Sequence, residues 1–235
     1  MKKYIAISFV LSFFYMACTE KKSEKSLEPT EQATNSQEKK QDLPKMVFFG
    51  DSLTAGMGLA SPQLAFPYLI GEKLKKDGYA FKIVNAGMSG DTTSGGLQRI
   101  DWVLSEGADV FILELGANDS MRGISPEVVE KNLLQIIAKV RETKPKAKIL
   151  LLPMQTFPNM GPKYAKKFAA VYQRVATKAK IPQAAFLLEK VGGIARLNQE
   201  DGIHPTAEGH VLVAETIYPD VAKLVAKFFP KQKME

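Results

Sequence analysis

The sequence predicts an α/β fold, in which helices pack against a parallel sheet. From residue 46 onwards, short runs rich in β-branched and aromatic residues alternate with longer amphipathic segments. This alternation is typical of parallel strands that are joined by crossover helices. Four segments rich in Gly, Ser, Asp and Asn also stand where loops are expected to leave the sheet. In open parallel sheets, such loops form the ligand-binding edge.

Five apolar runs predict the strands of this sheet. Four of them are bounded by turn-forming residues or by helical patterns, and the fifth is weaker. In chain order, the predicted strands are 46–49, 81–85, 110–115, 148–153 and the weaker 183–188.

Amphipathic segments between these runs predict the helices, which are 66–77, 93–106, one that begins at Pro126, 164–178 and 207–229. Pro126 suits a first helical turn, and Ser125 can cap that helix. The apolar stripes of two helices can be read directly from the 3.6-residue period. In 93–106 the stripe is Leu97, Ile100, Val103 and Leu104, and in the helix from Pro126 it is Val128, Leu133, Ile136, Ile137 and Val140.

Composition and charge restrict the class of protein. Hydrophobic residues make up 45% and charged residues 24% of the 235 residues, as in average globular proteins. The net charge of +7 falls to +5 when Lys2 and Lys3 of the N-terminal segment are set aside. The remaining basic residues are interspersed with acidic ones, and the sequence has no Arg cluster or zinc-finger spacing. We therefore expect a single domain over 45–235, a monomer, and no nucleic-acid partner.

The N-terminal segment is typical of a signal peptide. Lys2 and Lys3 precede an apolar run over 4–17, which is shorter than the ~20 residues that span a membrane. Cys18 follows it as the only cysteine, and its position resembles the lipidated cysteine of bacterial lipoproteins. Ordinary secretory cleavage and an uncleaved anchor remain alternatives.

These features predict a signal peptide over 1–17 and a disordered tether over 18–44, because the tether has almost no large apolar side chain. We expect a lipid at Cys18 to hold the protein to a membrane of the cell envelope. The domain would then face the periplasm or the exterior.

Ser52 is the candidate nucleophile, because it follows an apolar strand and a glycine at an expected edge of the sheet. His204 is a candidate base and lies three residues after Asp201, which could orient the imidazole ring. Taken alone, Ser52 could instead cap a helix, and His204 could be incidental in a turn. His210 is interpreted as a surface or packing residue, since a spacing of six does not place it beside His204 as a metal ligand.

Gly90 and Asn118 are candidate oxyanion donors. Each follows a predicted strand, so a backbone N–H and a side-chain amide could point at a developing negative charge together with the N–H of Ser52. In isolation, Gly90 could be an ordinary turn glycine and Asn118 an ordinary polar loop residue.

Together these segments resemble the four blocks of the SGNH (GDSL) hydrolase family. The blocks are Gly50-Asp51-Ser52-Leu53, Ser89-Gly90-Asp91-Thr92, Glu114-Leu115-Gly116-Ala117-Asn118-Asp119 and Asp201-Gly202-Ile203-His204-Pro205. They occur in the family's order over nearly the whole domain. The resemblance is greatest to the bacterial thioesterase, arylesterase and lysophospholipase group, to which Arg122-Gly123 also corresponds.

The resemblance implies a three-layer, flavodoxin-like α/β/α sandwich with about five parallel strands. It implies a serine esterase that cleaves esters or thioesters through an acyl-enzyme, without metal or cofactor. Ser52 would be the nucleophile, His204 the base and Asp201 its partner, with Ser52, Gly90 and Asn118 forming the oxyanion hole. Ala117 departs from the second glycine that close relatives often have. The loops 121–124 and 155–162 are expected to wall the substrate groove.

Three other functions remain as alternatives. A carbohydrate O-acetylesterase would share the family and the triad. A catalytically silent surface lipoprotein would have the fold without activity. A nucleotide-binding module could use Gly56 and Gly58, but a third glycine at the dinucleotide-site spacing is missing.

Overall fold

The described part of the chain contains one sheet of four parallel strands. The computed structural model describes residues 42–232, so the predicted signal peptide, Cys18 and most of the predicted tether lie outside the described residues. The strands are β1 (Lys45–Gly50), β2 (Lys82–Gly87), β3 (Val110–Glu114) and β4 (Lys148–Leu152). The order across the sheet is β2-β1-β3-β4, so β1 and β3 are the central strands. Their side chains are buried almost without exception, as expected for strands covered on both faces.

The predicted fifth strand is reduced to one bridge. Gln183 pairs in parallel with Leu151 of β4, and the flanking backbone bonds run from Leu151 N to Pro182 O and from Ala184 N to Leu151 O. At the next position the backbone N–H of Ala185 donates to the Asp220 carboxylate at 2.9 Å. The prediction of a strand over 183–188 is therefore wrong in extent. The next bond of the ladder would need an N–H from residue 153 to the Ala184 carbonyl, and residue 153 is a proline, which has no N–H to donate.

Seven α-helices surround the sheet in the described part of the chain. They are α1 (Ser52–Ala55), α2 (Phe66–Lys76), α3 (Thr93–Ser105), α4 (Ala117–Met121), α5 (Pro126–Thr143), α6 (Pro162–Ala179) and α7 (Ala207–Phe228). Three short 3₁₀ turns lie at Pro62–Leu64, Pro158–Met160 and Ala195–Leu197. The five long helices agree with the predicted segments, whereas α1 and α4 are too short to have a periodic signal.

The helices form two layers. α2 packs against α7, and α3, α5 and α6 pack in a row. Right-handed crossovers place these two groups on opposite faces of the sheet. The α/β prediction is thus confirmed, with a core of apolar side chains from both faces.

Two glycines allow the first loop to lie close to the sheet. A Cβ at Gly50 would overlap the side chains of Thr54 and Glu114, and a Cβ at Gly87 would overlap the backbone of Ala55. Because neither glycine has a side chain, α1 can sit directly on the ends of β1 and β2.

No helix among residues 42–232 is both long enough and apolar enough to span a bilayer.

The predicted apolar stripe of α5 contains one residue, Val128, that is not buried, so the prediction is wrong for this residue. Val128 is 42% exposed, whereas its neighbour Val129 is completely buried. The other predicted members, Leu133, Ile136, Ile137 and Val140, are buried. The stripe begins one residue later than predicted, because the first turn of α5, capped by the Ser125 side chain, points Val128 at solvent.

A matched pair of substitutions on α5 tests this assignment. We expect Val129→Ala to lower the free energy of unfolding by about 2 kcal/mol, because it removes buried methyl groups and leaves a cavity. The same change at Val128 should stay within about 0.5 kcal/mol of wild type. Urea unfolding followed by circular dichroism measures both, and equal losses would contradict the assignment.

Candidate active site

Ser52 stands at the carboxyl edge of the sheet, as the first residue of α1. Asp51 caps this helix, since its side-chain oxygen accepts a hydrogen bond from the Leu53 N–H at 3.0 Å. Gly56 ends the helix in the left-handed conformation, with φ of 74°. The short helix therefore turns the chain sharply and places the Ser52 hydroxyl beside a cavity.

Ser52, His204 and Asp201 lie in one hydrogen-bonded line. The distance from His204 Nε2 to Ser52 Oγ is 2.8 Å, and that from His204 Nδ1 to Asp201 Oδ2 is 2.6 Å. The other Asp201 oxygen accepts from the backbone N–H groups of Ile203 and His204. Hydrogen bonds from the His204 ring and from these two N–H groups lower the pKa of Asp201 to about 2. Asp201 is therefore ionised at neutral pH and accepts the Nδ1 proton, which leaves Nε2 to face the hydroxyl.

The loop that carries His204 is tied to α1. Asn198 and Pro205 form an antiparallel bridge across this loop, and Thr206 caps α7 directly after it. The Gln199 side chain donates to the carbonyls of Met57 and Pro205. The bond to Met57, which lies just after α1, joins two loops that are 142 residues apart in sequence.

Asn118 lies in the first turn of α4, and its side-chain nitrogen donates to Asp51 Oδ2 at 3.2 Å. Gly90 lies between β2 and α3 with φ of 82°, a conformation that favours glycine. Its carbonyl accepts from the guanidinium of Arg122, which follows α4, at 3.0 Å. The structure thus places the Gly90 loop against the helix that carries Asn118.

Further side chains that the sequence reasoning did not single out hold these loops together. Asp119 accepts from both the N–H and the hydroxyl of Thr93, at 2.8 and 2.6 Å. Arg99 pairs with Asp91 and donates to the carbonyl of Gly50. Asp91 and Asp119 belong to the sequence blocks that drew attention to Gly90 and Asn118, whereas no sequence pattern distinguishes Arg99.

Two buried carboxyl groups lie directly beneath Ser52. Glu114, at the end of β3, accepts on Oε2 from the Asp51 N–H at 3.1 Å and from the Thr54 hydroxyl at 2.8 Å. Burial raises the pKa of Asp51, and an ionised Glu114 would raise it further. Burial also raises the pKa of Glu114. Two such groups in contact cannot both be ionised without a large cost in free energy.

A groove of about 560 Å³ opens beside Ser52 and Asn118. Each predicted wall loop contributes to it, through Met121 on one side and through Gln155, Thr156 and Phe157 on the other. The other apolar members of the wall are Leu53, Ala117 and Ile203, which belong to the sequence blocks, and Met154, Phe186 and Leu188, which do not. The groove is therefore mainly apolar, with the Ser52 hydroxyl at its wall.

His210 is a packing residue, in agreement with the sequence interpretation. It is 1% exposed, stacks on the Phe66 ring and accepts a hydrogen bond from the Phe66 N–H at 3.3 Å. Burial lowers its pKa to about 4. Within residues 42–232, no group of three His, Cys, Asp or Glu side chains is arranged to hold a metal ion.

Comparison with known families gives a match over residues 48–212 to the GDSL-like lipase/acylhydrolase family. The sequence is 38% identical over 181 residues to esterase TesA of Pseudomonas aeruginosa, covering 77% of this chain and 89% of that protein. It is 31% identical over 180 residues to an arylesterase of Vibrio mimicus, and the match covers 76% of this chain and 88% of that protein. It is 33% identical over 181 residues to thioesterase 1/protease 1/lysophospholipase L1 of Escherichia coli K12, with 77% and 84% covered.

Solved structures with the same fold include the crystal structure of TesA, with a TM-score of 0.72, 37% identity, and 77% of this chain and 99% of that chain covered. AlinE4, an SGNH-hydrolase family esterase, has a TM-score of 0.64 and 38% identity, with 80% and 98% covered. A two-domain esterase active on acetylated mannans has a TM-score of 0.64 and 26% identity, and the match covers 83% of this chain and 52% of that one.

Proposed function

Because the chain belongs to the GDSL-like lipase/acylhydrolase family and is an ester-hydrolysing enzyme, we propose that it works through an acyl-enzyme on Ser52. His204 is the base and Asp201 its partner. The observation that carries this proposal is the line of hydrogen bonds from Ser52 Oγ through the imidazole ring to Asp201. The sequence-based expectation of a serine ester hydrolase is confirmed by the relatives.

In the first step, the Ser52 hydroxyl attacks the carbonyl carbon of the ester. His204 Nε2 takes the hydroxyl proton as the bond forms, and Asp201 stabilises the imidazolium. The tetrahedral intermediate then collapses, the bond to the leaving oxygen or sulfur breaks, and His204 returns the proton to the leaving group. An acyl ester on Ser52 remains.

In the second step, a water molecule gives its proton to His204 and attacks the acyl-enzyme. The Ser52 oxygen leaves with that proton, and the carboxylic acid is released. The negative charge on the carbonyl oxygen in both steps is proposed to be held by the N–H groups of Ser52 and Gly90 and by the side-chain amide of Asn118. One such donor typically contributes about 10²–10³ in rate.

The proposed substrates are acyl esters and thioesters, among them aryl esters and lysophospholipids. The groove supports this, because its apolar side chains begin at Ser52 and can bury a hydrocarbon chain. The similarity to an arylesterase and to a thioesterase/lysophospholipase supports the same substrate range.

A second candidate is a carbohydrate O-acetylesterase, which the similarity to an esterase active on acetylated mannans supports. Such an enzyme would use the same triad but would bind sugar hydroxyl groups. Gln155, Thr156 and Glu189 are polar members of the groove wall that could do so. Release of acetate from acetylated mannan faster than hydrolysis of lysophospholipid would favour this candidate.

The domain is proposed to lie in the cell envelope, held by a lipid on Cys18. This proposal is supported by Lys2 and Lys3, the apolar run 4–17 and the position of the single cysteine. The polar segment after Cys18 would let the groove reach substrates away from the membrane surface.

Ser52→Ala tests the nucleophile. We expect the rate of p-nitrophenyl butyrate hydrolysis to fall by at least about 10³-fold, because no acyl-enzyme can form. Labelling by a fluorophosphonate probe should disappear, while the circular dichroism spectrum stays that of wild type. Ser105→Ala, at an exposed serine of α3, is the matched control. A Ser52→Ala variant that turns over normally would refute the assignment.

A chain-length series tests the groove. We expect Phe157→Ala to lower kcat/KM for p-nitrophenyl octanoate about tenfold, because losing a contact in an apolar pocket typically lowers kcat/KM by at least this factor. Hydrolysis of p-nitrophenyl acetate, whose acyl group has no long chain to bury, should change little. Phe228→Ala, at the exposed end of α7, is the control. Equal losses on both esters would show that Phe157 does not contact the acyl chain.

Cys18→Ser tests the anchor. In a bacterial host that processes lipoproteins, the wild-type protein should incorporate an alkyne-labelled fatty acid and appear in the membrane fraction. The variant should lose the label and appear in the soluble fraction, whereas Ser52→Ala should behave as wild type. A labelled Cys18→Ser protein would exclude lipidation at this residue.

A further inference from the structure

The contact between Asn118 and Asp51 determines which atom of the Asn118 amide faces the nucleophile. Asn118 Nδ2 has two hydrogens, and one of them is donated to Asp51 Oδ2. The second hydrogen is then available to a substrate oxygen beside Ser52. If the amide turned by half a rotation, its oxygen would take the place of the nitrogen and would repel the oxyanion.

An accepting group at position 51 opposes that rotation. Both Asp51 oxygens accept N–H groups, Oδ1 from Leu53 and Oδ2 from Asn118. This pattern of acceptance suits an ionised carboxylate. Asp51 is completely buried, so the charge acts on the Asn118 amide without screening by water.

Glu114 decides whether Asp51 can keep that charge. Its Oε2 accepts two donors, whereas its Oε1 is buried and has no hydrogen-bond partner among the described residues. A proton on Oε1 would remove the repulsion between the two carboxyl groups. It would leave both bonds to Oε2 unchanged.

We propose that Asp51 is a positioning residue that holds the Asn118 amide in its donor orientation, and that Glu114 is the neutral, protonated partner that keeps Asp51 ionised. The pair does not touch the substrate and acts through Asn118. This inference rests on the proposed role of Asn118 as an oxyanion donor, and it assigns functions to two residues outside the triad.

A double-mutant cycle tests the link between Asp51 and Asn118. We expect Asn118→Ala to lower kcat for p-nitrophenyl butyrate about 10²–10³-fold with little change in KM. Asp51→Asn should lower kcat by a similar factor, because the new side-chain NH₂ favours the rotated amide. Since both changes remove the same donor, the double variant should be no slower than Asn118→Ala alone. Asparagine is also a good helix cap, so Asp51→Asn is expected to fold.

Glu114→Gln tests the location of the proton. Glutamine can accept on one atom as Glu114 Oε2 does, and it imitates a neutral carboxyl group. We expect this variant to keep kcat near the wild-type value. In infrared spectra at neutral pH, the wild type should show the C=O band of a buried protonated carboxyl group. This band should shift when only glutamate is labelled with ¹³C, which places the proton on a glutamate, and the variant should lose it. The matched control is Glu130→Gln, which makes the same change at a buried carboxylate of α5. Glu130 pairs with Arg174 and Lys178 of α6, and its variant should keep the band.

Three results would overturn the inference. They are Asp51→Asn turnover near wild type, a double variant slowed by the product of the two single factors, and a Glu114→Gln variant as slow as Asp51→Asn. If Ser52→Ala stays inactive and Asn118→Ala stays slow in these cases, the proposed function stands and only the role of the pair is refuted. Wild-type turnover of Asn118→Ala would refute the oxyanion role of Asn118 and the inference together.

Discussion

The parallel pairing of β1 with β2 and β3 is the constraint on which the rest of the structure depends. Gly50 pairs with Gly87 across the first ladder, and Phe49 pairs with Leu113 across the second. All three strands therefore end at the same edge and at nearly the same height. The loops that follow them carry Ser52, Gly90 and Asn118, so the register of the sheet alone brings these loops within reach of each other.

Sheet register is not sufficient for catalytic geometry, which requires side chains to be held within fractions of an ångström. Buried polar contacts between neighbouring loops supply the remaining precision. Arg99 joins the first loop to the second, Asp119 joins the third to the second, and Asn118 joins the third to the first. Each loop is thus tied to the other two. Such networks are costly when one partner is missing, which favours a single arrangement.

The base comes from a different part of the fold. His204 lies on the loop before α7, and its position relative to Ser52 depends on bonds such as that from Gln199 to Met57 rather than on the strand ladders. The groove between this loop and α4 is apolar where an acyl chain would lie. Part of the groove wall comes from segments outside the catalytic loops, such as 154–157 and 186–189. That part of the wall can vary while the triad is kept.

The sequence by itself determined the α/β class, the four strands and five long helices, and the residues Ser52, Asp201, His204, Gly90 and Asn118. Periodicity and local motifs encode these features within a few neighbouring residues. Only the tertiary structure decided the reduced fifth strand, the exposure of Val128, the roles of Arg99 and Asp119, and the contact of Asp51 with Glu114. The polar contacts of Arg99, Asp119 and Asp51 depend on which distant group reaches a given donor or acceptor. The other two features depend on how strands and helices meet in the folded chain. A pairing across more than sixty residues, as between Asp51 and Glu114, leaves no periodic trace in one sequence.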